Sequence, residues 1–194
     1  MPLSPKEQPW YSIFLDIDRW KGENDMDVRT YIQQQMVEMN DFVAAAINDV
    51  TEEQFNWVPP GTVSPISAIL LHTLSAEDYF IQEVLQGRTR IWDEQGWLGK
   101  IGVQAPGGPG ADWSVFKTTR IALAPVLAYG QLLRPATDAY LVALTAEELD
   151  RQVKFGKAMH PAASVLVRLI VHTASHAGEI AAVKGMQGFK GLPF

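Results

Sequence analysis

Apolar positions recur at intervals of three and four along four long stretches of the chain, the spacing of one helix face. In residues 28–49 the recurring positions are Ile32, Met36, Met39, Val43 and Ala46, and Asp27 is placed to cap the start. Residues 65–86 follow Ser64-Pro65, with Ser as N-cap and Pro at the first helical position, and Gly87 stands where the helix should stop. Residues 125–144 carry the stripe Val126, Gly130, Leu133, Thr137, Tyr140 and Leu144; Pro125 lies near the first turn, and Pro135 inside the stretch predicts a kink. Residues 161–188 form the longest stretch, opening with Pro161 and closing at Gly185 and Gly188. Two capping boxes, Thr51 to Gln54 and Thr145 to Glu148, predict short helical turns, the first ended by Pro59-Pro60-Gly61. A loop through Gly156 and His160 is expected before the last helix, with His160 as a cap or an exposed side chain.

A long helix, a capped turn and a histidine-bearing helix occur in residues 28–86 and again in 125–184. This faint echo suggests two helical hairpins, hence an all-α four-helix bundle. Residues 88–124 would then be a long crossover between helices 2 and 3, since so long a connection in a compact domain is functional or a crossover. It has no clean periodicity and contains GGPG with Trp92, Trp97 and Trp113, which either line a pocket mouth or pack the loop onto the bundle. Residues 1–27, with Trp10, Tyr11, Phe14 and Trp20 among charges, read as an extension packed on the domain with a turn or two of helix; 28–194 form the bundle.

The 194 residues suit a single domain. The net charge of −6 argues against a nucleic-acid or anionic-membrane surface, which would need clustered Lys and Arg. Cysteine is absent, so thiolate nucleophiles and Cys–metal sites are excluded from the chain itself. The N-terminus lacks the basic and apolar regions of a signal peptide, and no apolar run reaches the ~18 residues of a membrane span. A soluble cytoplasmic protein is expected.

His172 and His176 are four residues apart on the last predicted helix, on the wheel face that carries Val165, Leu169 and Val183. That spacing is a rise of about 6 Å and a rotation about 40° past a full turn, so both rings leave one face. Imidazoles on a buried stripe need hydrogen-bond partners or a metal. His72 on the second helix shares a predicted face with Ile69, Ala76, Tyr79 and Glu83. Taken alone, a histidine there is more often a hydrogen-bonded core residue than a ligand. A bundle can nevertheless bring His72 to His172 and His176, and three neutral imidazoles suffice for Zn²⁺ or Ni²⁺ with positions left open. The gap residues Thr173, Ala174 and Ser175 exclude the zincin pattern with its adjacent glutamate. Glu179, one turn beyond His176, could orient a histidine, act as a base, or face solvent.

LLHTLSAEDYFIQEVL, followed far downstream by VHTASHAGEIAAVKGMQG, resembles the DinB-like metal-binding superfamily, most specifically in H-T-x-x-H-A-G-E-I ending in G-M-Q-G. The resemblance covers residues 28–188. It implies an up-down-down-up bundle with a three-histidine metal site at His72, His172 and His176. Relatives include thiol-dependent transferases using mycothiol or bacillithiol and metal-dependent isomerases; many members have no known activity.

Three readings compete. In the first, the chain is an enzyme acting on a small molecule, with the divalent metal as Lewis acid or activator of a bound water or thiol. Any such thiol must be a cosubstrate, and hydrolysis by activated water is the near alternative. In the second, the metal is bound without catalysis, in a structural or stress-related role. In the third, three core histidines are satisfied by hydrogen bonds alone. Assembly as a homodimer is left open.

Overall fold

The computed structural model describes residues 27–192; the expected N-terminal extension lies outside the described residues apart from Asp27. Helix α1 spans Val28–Ile47, and the Asp27 carboxylate caps it by accepting from the Thr30 amide at 2.8 Å. The short α2, Glu52–Phe55, carries the full capping box between Thr51 and Gln54. Helix α3, Ile66–Asp78, continues into a π-helical segment, Tyr79–Leu85, which ends before Gly87 at φ 64. The crossover holds α4 (Ile91–Glu94), α5 (Trp97–Ile101) and a 3₁₀ turn (Ser114–Lys117). Then come α6 (Leu123–Val142), α7 (Ala146–Asp150), strands β1 (Gln152–Phe155) and β2 (Ala158–Pro161), and α8 (Ala162–Met186). The described residues are mostly helical, as expected of an all-α chain, with one small sheet added among them.

Helix α8 packs against α1 and α3, and α6 packs against α3 and α1. The core falls into two apolar clusters. One gathers Val43, Phe55, Ile69, Trp92, Tyr129 and Ile180; the other gathers Ile32, Phe80, Leu141, Val153, Val165 and Leu169. Between them every long helix contributes buried polar residues: Asn40 from α1, His72, Thr73, Glu77 and Asp78 from α3, Thr137 from α6 and Thr173 from α8. Burying such groups is tolerable only where partners are supplied. Glu77 accepts from Thr137 at 2.6 Å and pairs with Arg134 at 3.2 Å. The Asp78 carboxylate accepts from the Ile91 and Trp92 amides and the Tyr129 hydroxyl, so one side chain ties α3 to α6 and to the start of the crossover. Asn56 clamps the end of the crossover by exchanging two hydrogen bonds with the Ile121 backbone.

Several sequence expectations need correction. The segment expected as a loop before the last helix is an antiparallel hairpin, with Val153 opposite His160 and Gly156 at φ 62 in the two-residue turn. The positive φ is what such turns require. His160 is neither a cap nor exposed: it is half-buried on β2, with its ring 6.2 Å from that of Phe155. Pro65 and Pro161 sit at the N-cap positions rather than at the first helical ones. On α6 the buried stripe runs through Tyr129 and Leu141 rather than Gly130 and Tyr140. Glu83 leaves the face of His72: it is exposed and lies 3.3 Å from Arg90. The cause is the π segment, whose i→i+5 pairing shifts the register of everything after Tyr79.

Candidate metal centre

The histidines sit where the polar layer crosses α3 and α8. His172 and His176 project from the middle of α8, beside its buried stripe Val165, Leu169, Thr173, Ala177, Ile180 and Val183. They flank the core rather than point into it, and both rings are half-buried. His72 faces them from α3 and is 8% exposed. His172 Nε2 lies 2.9 Å from His72 Nε2 and 3.2 Å from His176 Nε2. One nitrogen from each ring falls within 4.8 Å of the others, so the three are positioned to hold a metal ion.

The other ring nitrogens show which way the lone pairs point. His72 Nδ1 is 3.0 Å from the Pro106 carbonyl oxygen, which can only accept, so Nδ1 carries the proton. His176 Nδ1 is 2.8 Å from Glu179 Oε2 and donates to it. In neutral rings both Nε2 atoms therefore aim lone pairs at His172 Nε2. His172 Nδ1 is buried with no partner, as is the neighbouring Thr173 hydroxyl. One N–H at His172 Nε2 cannot fully satisfy two facing lone pairs, whereas a cation between the three nitrogens satisfies all of them. The donor set thus fits a divalent metal, and the hydrogen-bonded core reading accounts for it less well. Burial, joined by the neighbouring His176 and His72, pushes His172 down to about 4, and burial also lowers His72. Neutral imidazole is the form that ligates.

The crossover completes the centre. The Trp113 ring lies 4.7 Å from the His72 ring, and its Nε1 donates to the Gly107 carbonyl at 3.2 Å. A Cβ on Gly107 would stand 2.9 Å from that of Ala111, so glycine is needed for the close turn beside Pro106. Phe80 approaches His172 from the π segment, with ring centroids 6.3 Å apart. Trp92 and Trp97, by contrast, pack on Tyr129, each 5.3 Å from its ring, and belong to the core. Tyr79 lies against Phe80 and Phe155. Sequence reasoning missed Pro106, because a backbone carbonyl leaves no residue-type signal; the adjacent GGPG was the only cue.

These features define a class: a mostly helical protein with three histidines on two long helices positioned for one metal ion. The sequence pattern of the DinB superfamily matches residues 35–180, and the chain belongs to that superfamily. The crystal structure of a conserved protein from Enterococcus faecalis is similar in fold, with a TM-score of 0.71 and 17% identity, covering 85% of this chain and 100% of that one. At that identity the likeness speaks for the fold alone. Comparison with curated proteins gives no match. Among the described residues no helix is long and apolar enough to cross a membrane.

Proposed function

We propose that the chain is a metal-dependent enzyme acting on a small molecule, with one Zn²⁺ or Ni²⁺ held by His72, His172 and His176 and a low-molecular-weight thiol as cosubstrate. The observation that carries this reading is the convergence of three imidazole nitrogens in a group that no fourth ligand joins among the described residues. Three protein ligands are the number found at catalytic sites, where a position stays open for an exogenous group; structural sites use four. When bound, the cation would act as a Lewis acid and favour the anionic form of a thiol or water at neutral pH. With no cysteine in the chain, a thiol has to arrive from outside.

The chain's own residues have distinct tasks in this reading. The Pro106 carbonyl and the Glu179 carboxylate hold protons on Nδ1 of His72 and His176, and so turn Nε2 of each toward the cation. Glu179 is thereby an orienting residue, its carboxylate occupied by His176, and is not assigned the base role. Trp113 and Phe80 shield two of the rings and restrict water there. The net charge of −6 favours a small-molecule partner over nucleic acid. The order in which α1, α3, α6 and α8 pass through the two core clusters supports an up-down-down-up bundle: α1 and α8 run one way, α3 and α6 the other.

The test has two arms. Elemental analysis should find about one divalent metal per chain, lost in His172→Ala. Co²⁺-substituted protein should then develop sulfur-to-cobalt charge-transfer absorption with a small thiol, absent in His176→Ala, and turn over an electrophile only with that thiol present. Metal without any thiol response would remove the transferase reading and leave hydrolysis or non-catalytic binding.

A further inference from the structure

A cleft of about 960 Å³ opens where the π segment, the end of α6, α7 and the hairpin meet, and none of the three histidines lines it. Its volume lies in the ~300–1,000 Å³ range of small-molecule sites. Part of its lining is held rigidly. Arg151 pairs with both oxygens of Glu148 at 2.7 Å and donates to the Leu85 carbonyl, while the Tyr140 hydroxyl donates to Glu148 at 2.9 Å. That network joins α6, α7 and the end of the π segment. The seven-residue π segment supplies Tyr79, Val84 and Leu85 to the lining. Such segments are uncommon and concentrate at functional sites.

The charges lining the cleft are unbalanced. Glu148 is occupied by Arg151 and Tyr140, and Glu83 lies 3.3 Å from Arg90, which it shares with Asp93 at 2.8 Å. The side chains of Arg88 and Lys154 and the Tyr79 hydroxyl also line the cleft, and among the described residues none of these side chains has a hydrogen-bond or ion-pair partner. The lining therefore carries three cations, Arg88, Arg151 and Lys154, against two carboxylates, Glu83 and Glu148, and two of the cations have unengaged side chains, in a chain whose net charge is −6. The ligand has to bring the acceptors and the negative charge. The Val84 side chain and the rings of Tyr79 and Tyr140 suit an apolar or aromatic body. We propose that this cleft binds a small organic anion, with carboxylate or phosphate oxygens on an apolar body, through Arg88, Lys154 and Tyr79, independently of the histidine centre.

The experiment titrates the protein with benzoate, phenyl phosphate and neutral benzyl alcohol by calorimetry, in wild type, in His176→Ala and in the exposed double variant Arg88→Gln/Lys154→Gln. At least one anion should bind, benzyl alcohol should bind about tenfold more weakly or not at all, and the double variant should weaken the anion by about tenfold or more. His176→Ala, impaired at the metal centre, should bind it as wild type does, which separates this site from the function proposed above. A preference for phenyl phosphate marks a phosphate ligand and a preference for benzoate a carboxylate. No anion binding up to about 10 mM overturns the proposal, as does undiminished binding in the double variant, equal binding of benzyl alcohol, or loss of binding in His176→Ala.

Discussion

Glu179 holds His176 from one turn further along the same helix, Oε2 to Nδ1 at 2.8 Å. The bond fixes the tautomer that turns Nε2 toward His172. The Glu179 side chain is 40% exposed and lies in neither apolar core cluster. Replacing Glu179 by Ala should therefore weaken metal binding by about 10- to 100-fold with little change in the stability of the metal-free protein. Competition with a chromophoric chelator measures the first and urea unfolding the second. Unchanged metal affinity would remove the orienting role.

Metal that binds the folded chain better than the unfolded one stabilises it by RT ln(1 + [L]/Kd), about 2.7 kcal/mol at a hundredfold excess over Kd. Chelation should lower the midpoint of thermal unfolding, and adding metal back should restore it. His72→Ala should show the lower midpoint throughout and no response to metal. A wild-type midpoint that ignores verified metal removal would argue against occupancy of the folded state.

The pH dependence of the metal-free protein follows from His172. Burial and the neighbouring histidines put its folded value at about 4, against an ordinary value of 6.5. Between those two pH values the unfolded chain binds a proton that the folded chain does not, so stability falls as pH drops from about 6.5 towards 4. Asp41 works in the opposite sense, because burial and the nearby Glu38 raise it to about 6. The comparison has to be made between wild type and His172→Gln. Urea unfolding across this range should give a steeper loss in wild type, and parallel profiles would contradict it. Bound metal should be released over the same acid range, since protons compete for the same nitrogens.

The long helices and the pairing of His172 with His176 were legible because both rest on spacing. Stripes such as Val126 and Leu133 on α6 mark a face, and His172 and His176 at i and i+4 mark one side of a helix. The arrival of His72 at that pair was implied by the family resemblance and is now seen in the geometry. The hairpin stayed hidden because strands of four residues carry too little alternation to stand out from a loop. The π segment stayed hidden because YFIQEVL reads as ordinary α-helix, and only the exposed Glu83 betrays the shifted register. The roles of Pro106 and Trp113 depend on how an aperiodic crossover folds back on His72, which no local pattern encodes.

The strongest test of the scaffold lies at Asp78, which is 1% exposed and raised by burial from the ordinary carboxylate range. It persists there because it accepts from the Tyr129 hydroxyl at 2.7 Å and from the amides of Trp92 at 2.8 Å and Ile91 at 3.0 Å. Asp78→Ala leaves three donors without that acceptor in a largely apolar setting, at about 1–3 kcal/mol for each that stays buried and unpaired. A total loss of about 3 kcal/mol or more is expected, large against the stability of a typical domain. Tyr129→Phe removes one of the three bonds and keeps the ring against Trp92 and Trp97, so about 1 kcal/mol is expected. The two variants should also differ at the metal. Asp78 anchors the start of the crossover, and further along that segment Pro106 and Trp113 sit on His72. Asp78→Ala should therefore speed metal release to a chelator well beyond Tyr129→Phe, under conditions where both remain folded by circular dichroism. Equal release rates would show that the crossover holds its place over His72 without the Asp78 anchor.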